Sequence, residues 1–125
     1  MKLQVIFLSS FIFLLFSCSN EVESIDVKSL SSPCECAKAA EIAINEQLTI
    51  REETYGKEFK DIDTSSLMPR IRTYKKKEDE IKKHCREKLA IGKCPEWTSI
   101  QKKLAERSEM IEKKGQEEAL KKIAN

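Results

Sequence analysis

A chain of 125 residues has room for one small domain, and its charge is nearly balanced, with 23 basic and 21 acidic residues. Opposite charges are interspersed, as in the run EDEIKKHCREK, which argues against a protein that binds nucleic acid or another polyanion. No glycine-rich phosphate loop and no nucleic-acid motif occurs in the sequence.

The first 17 residues have the pattern of a secretory signal peptide. Lys2 supplies a short basic region, and the apolar stretch from Leu3 to Phe16 is 14 residues long. A helix that spans a bilayer needs about 20 apolar residues, which disfavours the alternative of an uncleaved membrane anchor. We therefore expect residues 1–17 to be removed, leaving a mature chain with a net charge near +1.

The end of this stretch, Leu15-Phe16-Ser17-Cys18, resembles the lipobox of bacterial lipoproteins, including those of the Bacteroidota type. In that family a signal peptidase cleaves before the cysteine, which is acylated on its sulfur and usually on its new amino group. The resemblance implies that Cys18 is the first residue of the mature protein and its point of attachment to lipid. Ser19 is not the aspartate that favours the inner membrane, so the resemblance implies the outer membrane, with the protein facing the periplasm or the cell surface.

The mature chain begins with a polar stretch, so residues 18–31 are expected to form the acylated cysteine and a flexible tether. Ser, Asn, Glu and Asp are frequent here, and the apolar residues show no sustained period. A flexible segment of 13 residues spans roughly 20 Å. The domain is therefore expected to lie near the lipid surface without being pressed into it.

Residues 32–125 have the apolar periodicity of an all-α domain with three helices. The first helix is expected to begin at the capping box SPCE, residues 32–35, and to run to about Glu58, with Gly56 loosening its end. Tyr55 and Phe59 are expected to cover the far end of the core. The apolar stripe of this helix consists of Ala37, Ala40, Ile44, Leu48, Tyr55 and Phe59.

The second helix is expected to follow the polar turn at residues 60–66. Thr64, Ser65 and Ser66 are its N-cap candidates, Pro69 falls in its first turn, and Gly92 is its C-cap candidate. Its apolar stripe consists of Leu67, Ile71, Tyr74, Ile81, Cys85 and Leu89.

The third helix is expected to start at Cys94-Pro95, with proline at the first helical position. Trp97 is expected either to fill the core under the cysteines or to act as an exposed binding anchor. Gly115 is the expected weak point, after which the helix frays or projects from the bundle. The apolar stripe consists of Trp97, Ile100, Leu104 and Ile111.

Short connections make consecutive helices antiparallel, so the predicted fold is an up-down-up three-helix bundle, elongated or coiled-coil-like. Its apolar stripes are narrow, and a core of this size is marginal without covalent support. The remaining four cysteines lie at the start of the first helix, the end of the second and the start of the third. In such a bundle these three points are at the same end. We therefore expect the fold to be clamped by disulfides there, as an oxidising compartment allows.

Two pairings of these cysteines compete. Cys34 and Cys36 are about 200° apart around a helix, so each needs a partner elsewhere. Cys36 and Cys85 lie in the apolar phase of their helices, which favours Cys36 to Cys85 and Cys34 to Cys94. The swapped pairing, Cys34 to Cys85 and Cys36 to Cys94, is the competitor.

A metal site is the less favoured alternative for the same cysteines. Cys34, Cys36 and Cys94 with either His84 or Cys85 make a four-ligand zinc set by composition. Structural zinc sites, however, use two cysteines separated by two to four residues on a turn, which this spacing does not match. We therefore expect no bound metal or other cofactor.

His84 is the single histidine, and among lysines it is expected to be a polar surface residue. With no second group to form a catalytic pair, the chain is not expected to be an enzyme. The preferred hypothesis is a lipid-anchored helical module of the cell envelope that binds another envelope protein or a second copy of itself. The alternative is a small ligand- or metal-binding lipoprotein that uses the cysteine-rich end.

Overall fold

The computed structural model describes residues 21–125, which contain three helices and no strand. Helix α1 spans Pro33–Thr54, α2 spans Thr64–Lys88 and α3 spans Trp97–Ala124. The all-α class and the disulfide-clamped bundle of three helices are thereby confirmed. None of the helices in this part of the chain combines the length and hydropathy that crossing a membrane requires. The expected signal peptide and Cys18 lie outside the described residues.

The start of α1 follows the predicted capping box, with Ser32 as N-cap and proline at the first helical position. The Ser32 hydroxyl accepts a hydrogen bond from the Glu35 amide at 3.2 Å. The Glu35 carboxylate reaches back to the Ser31 amide, at 2.6 Å, and to its hydroxyl, at 3.0 Å. These donors hold the pKa of Glu35 below its ordinary value. Helix α1 ends at Thr54, before the predicted Glu58, because the chain turns at Gly56, whose φ of +80° suits glycine.

The ends of α2 and α3 differ from the prediction by a few residues. Asp63, rather than one of the following hydroxyl residues, caps α2 by accepting from the Ser66 amide at 3.3 Å. A carboxylate makes a stronger charge-assisted cap than a hydroxyl. Pro69 consequently lies in the second turn of α2, and Leu89 rather than Gly92 is its C-cap. Helix α3 begins at Trp97, after Pro95.

Helix α1 is the centre of the fold, because it packs against both α2 and α3 while those two make little contact with each other. The core is accordingly divided between the two flanks of α1. On the α2 side the buried residues of α1 include Ala39 and Ala43, which pack with Ile81. On the α3 side Leu48 packs with Leu104, among others.

Each flank of α1 also has an arginine that crosses the interface. Arg70 of α2 donates to Glu53 at 2.7 Å and to Glu46 at 2.9 Å, and these bonds raise its pKa. Arg107 of α3 donates to the Asn45 carbonyl and side-chain oxygens, at 3.3 and 2.8 Å, and to the Thr49 hydroxyl at 2.9 Å. The interspersed charges therefore join helices, besides facing solvent.

Residues 21–31, which we call the N-terminal segment, pack on the domain, whereas the sequence led us to expect a flexible tether. Val22, Ile25 and Val27 are buried, and the segment makes one 3₁₀ turn at Val27–Ser29. It lies against α1 and α2, where the Lys77 ammonium donates to the Ile25 carbonyl at 2.6 Å. Burial of three apolar side chains offsets the conformational entropy that a free tether would keep.

The end of the bundle remote from the disulfides also differs from expectation. Gly115 does not weaken α3, which continues through it; the glycine is buried against the ring of Tyr55, and an added Cβ would lie 1.3 Å from Tyr55 Cδ1. Phe59 covers no core, since its exposed fraction is 80%. The last turns of α3 lie beside the turn at Gly56, and Leu120 and Ile123 in these turns are exposed.

Candidate functional site

The four cysteines meet at one end of the bundle as two disulfides. Cys36 is bonded to Cys85, which joins α1 to α2, and Cys34 is bonded to Cys94, which joins α1 to the residues just before α3. This is the favoured one of the two pairings considered from the sequence. Cys36 is fully buried and Cys85 nearly so, whereas Cys34 is only half-buried.

Three possible metal-ligating groups lie together beside the outer disulfide. The sulfurs of Cys34 and Cys94 and a carboxylate oxygen of Glu96 are all within 4.8 Å of one another. Both sulfurs are engaged in the disulfide, so they carry no proton to donate and are not the thiolates that bind zinc. The contacts of Glu96 Oε2 with these sulfurs, at 3.1 and 2.9 Å, place a negative charge next to the disulfide.

His84 differs from the predicted surface residue because it is half-buried against the N-terminal segment. Its Nε2 lies 2.8 Å from the carbonyl oxygen of Leu30, and since that oxygen can only accept, Nε2 carries the hydrogen. His84 therefore fastens the segment to α2. Sequence spacing alone gives no signal for this contact, because its partner is a backbone group 54 residues away.

An apolar groove of about 440 Å³ opens near the disulfide end, between α2 and the start of α3. The groove is open because α2 and α3 both pack on α1 but make little contact with each other, which leaves one side of α1 uncovered. The residues that line it are Ala40, Ala43, Ile44, Glu78, Ile81, Lys82, Cys85, Arg86, Leu89, Ala90, Ile91, Gly92 and Trp97. We refer to this feature as the apolar groove.

The floor of the apolar groove is made by α1, which contributes Ala40, Ala43 and Ile44. Alanine side chains are short, so an incoming helix can approach the α1 backbone at the small end of the usual 8–10 Å interaxial range. Ile81 from α2 and Trp97 from α3 also line the groove, Ile81 as a buried core residue and Trp97 as a partly exposed one. Trp97 packs on the cluster around Cys94, as its expected core role requires, and it also lines the groove.

Charged side chains line the rim of the groove. Glu78 and Lys82 form an ion pair at 2.7 Å one helical turn apart, and Arg86 follows on the next turn. The exposed pair adds little stability. It gives the rim both signs of charge, which suits an amphipathic partner better than a simple anion or cation. Near the rim, burial and then the charge of Glu78 raise the pKa of Tyr74.

This arrangement is suited to binding rather than to bond making. Apart from the charged rim, the groove lining offers apolar side chains and a bonded cysteine, and none of these can act as a nucleophile or a general base at neutral pH. A second, larger depression of about 770 Å³ lies between the N-terminal segment and α2, but charged side chains make up most of its lining. The apolar groove is therefore the stronger candidate for recognition.

No family model, curated protein or solved structure matches the chain.

Proposed function

We propose that this protein is a lipid-anchored, non-catalytic module of the bacterial outer membrane that binds an amphipathic helix of another envelope protein in its apolar groove. The lipobox ending at Cys18 supports the anchor. The binding role rests on a single observation, the apolar groove, which supports the recognition of a helix.

Three properties of the groove favour a helix as the occupant. α1 is flanked by α2 and α3, so a fourth helix on its open side would complete a four-helix arrangement. The alanine floor permits close approach of that helix, and the partly exposed Trp97 offers an apolar ring to its side chains. The rim, with Glu78, Lys82 and Arg86, can pair with charges that flank an apolar stripe.

A small apolar ligand is the second candidate for the groove. The volume of about 440 Å³ lies within the range of about 300–1,000 Å³ that is typical of small-molecule sites. The connection between α2 and α3 lines the groove near the disulfides, as a pocket for a compact molecule would require.

Crosslinking in intact cells separates these candidates. We expect a photoreactive phenylalanine analogue at position 86, on the exposed rim of the groove, to give a discrete protein adduct. The same analogue at Lys102, which is exposed on α3 and does not line the groove, should give none. If position 86 gives no protein adduct, while native mass spectrometry finds a small molecule that an Ala40→Phe variant loses, the ligand-binding role replaces the proposal.

The anchor is tested separately from the groove. A Cys18→Ser variant should lose metabolic labelling with a radioactive fatty acid, because its attachment atom is gone, while both disulfides remain formed. Acylation that persists in this variant would contradict the assignment of Cys18.

A further inference from the structure

We propose that the end of the bundle remote from the disulfides faces the membrane, and that its exposed apolar side chains enter the lipid interface next to Cys18. We call this end, residues 54–63 and 115–125, the far end. The inference rests on the proposed lipid anchor and adds an orientation and a second lipid contact to it.

Large exposed apolar side chains are concentrated at the far end. Phe59, Leu120 and Ile123 have exposed fractions of 80, 65 and 82%. Apolar side chains of this size and exposure leave a large apolar area in water, and their concentration at a single end of a small domain is typical of an interaction site.

The side chains lie at one end of the bundle because the last turns of α3 run beside the connection between α1 and α2. Gly115 packs on the Tyr55 ring, and the Lys122 ammonium donates to the Gly56 carbonyl at 2.7 Å. Leu120 and Ile123 share a face of α3 that is turned by about 100–160° from Lys122. Phe59 follows Gly56 by three residues in the adjoining connection. Both segments of the chain therefore present apolar groups at the same end of the bundle.

The path of the N-terminal segment indicates that lipid covers these side chains. Followed back from Leu30 to Val22, the segment runs toward the far end. Leu30 is held by His84 near the disulfides, Ile25 by Lys77 further along α2, and Val22 packs with Ile50, one turn from the end of α1. Cys18 precedes Val22 by four residues. An extended chain of that length reaches at most about 14 Å. A lipid on Cys18 must therefore enter the membrane close to the far end, which disfavours a bilayer at the disulfide end.

The charges of the far end specify the kind of membrane contact. Lys57, Lys60, Lys121 and Lys122 alternate with acidic residues, so the surface carries no strong net charge. Binding is therefore driven by apolar insertion, with lysine ammonium groups kept at the headgroup level, rather than by attraction to anionic lipid. We expect it to depend little on salt or on the anionic lipid content.

This orientation also places the apolar groove away from the bilayer. Trp97, at the start of α3, is 23 residues from Leu120 on the same helix, which is about 35 Å of helix length. The groove would then be presented to partners, clear of the lipid surface.

Tryptophan quenching in vesicles tests the orientation. The chain has a single tryptophan, Trp97, so the acylated wild-type protein reports the disulfide end and an acylated Phe59→Trp/Trp97→Phe variant reports the far end. Both are reconstituted into phosphatidylethanolamine and phosphatidylcholine vesicles that contain brominated acyl chains. Because interfacial side chains lie about 5–10 Å into the headgroup and acyl boundary, we expect at least about threefold stronger quenching at position 59 than at position 97.

The outcomes are distinguishable. Mass spectrometry of Cys18 reports the anchor, so an unacylated cysteine in envelope-purified protein would refute the proposed function itself. With Cys18 acylated, equal quenching at the two positions, or none at position 59, overturns the orientation alone. Sedimentation of an unacylated chain tests the rival occupant: a dimer that a Phe59→Ser/Leu120→Ser/Ile123→Ser variant abolishes would assign the surface to a second copy and would also overturn the inference.

Discussion

At Gly115 the backbone preference and the packing of α3 act in opposite directions. A glycine inside a helix costs about 1 kcal/mol relative to alanine. An added Cβ would, however, lie 1.3 Å from Cδ1 of Tyr55, so the ring would have to leave its place. The glycine is therefore retained by a tertiary contact, although the local sequence alone indicated a weak point.

Gly115→Ala should change the free energy of unfolding in opposite directions in the presence and in the absence of the Tyr55 ring. In the otherwise natural chain we expect a loss of about 1–3 kcal/mol, the usual cost of overpacking. In a Tyr55→Ala background the clash is absent, so the same substitution should stabilise by up to about 1 kcal/mol. Urea unfolding of the oxidised Cys18→Ser chain without residues 1–17 measures both, since the described core and both disulfides lie within residues 21–125.

Gly92 provides the control for this pair of measurements. No atom lies within 4 Å of a Cβ added there, so Gly92→Ala should change the stability by no more than about 0.5 kcal/mol. An effect of Gly115→Ala that has the same sign in both backgrounds would show that Tyr55 is not the reason for the glycine.

The packing of the N-terminal segment also depends on tertiary contacts, here for a whole element. The start of α1 could be predicted because a capping box acts within four residues. The segment could not, because Val22, Ile25 and Val27 follow neither a helical nor a strand period and are buried only by the side chains of α1 and α2. A short irregular stretch has no local signal that distinguishes packing from freedom.

Ile25→Ala is the direct test of this element. The side chain is 8% exposed and belongs to the cluster between α1 and α2, so its truncation should lower the free energy of unfolding by about 2 kcal/mol or more. Glu23→Ala, two residues earlier and exposed, should change it by no more than about 0.5 kcal/mol. Equal and small effects of the two substitutions in urea unfolding would restore the interpretation of residues 21–31 as a free tether.

For the whole molecule, the sequence predicts the architecture better than the site. Three apolar stripes and two short connections are local properties, and they were enough to predict a bundle with its cysteines at one end. The apolar groove depends on how far α2 and α3 separate around α1, which no stripe encodes. Ala40 and Ile44 were predicted as core residues, yet they also line that opening.

The two disulfides should contribute to the stability of the whole domain in a mildly non-additive way, with an excess of about 1 kcal/mol when both are lost. Their loops of 49 and 60 residues differ by only 11 residues, so once one bond exists the other closes a short ring. The chain-entropy model assigns about 4 kcal/mol to the first bond and about 3 kcal/mol to the second. Losing either one alone should therefore cost about 3 kcal/mol, and losing both about 7 kcal/mol.

Urea unfolding of the two paired Cys→Ala variants and of the fourfold variant measures these differences. A total loss of about 7 kcal/mol falls within the 5–15 kcal/mol that usually holds a domain together, so the fourfold variant should show no cooperative transition at 37 °C. Mild reduction should open the Cys34 to Cys94 bond first, because Cys36 is fully buried, and alkylation with peptide mapping identifies the order. A fourfold variant that unfolds cooperatively within about 2 kcal/mol of the natural chain would instead mean that the divided core on the flanks of α1 suffices without covalent support.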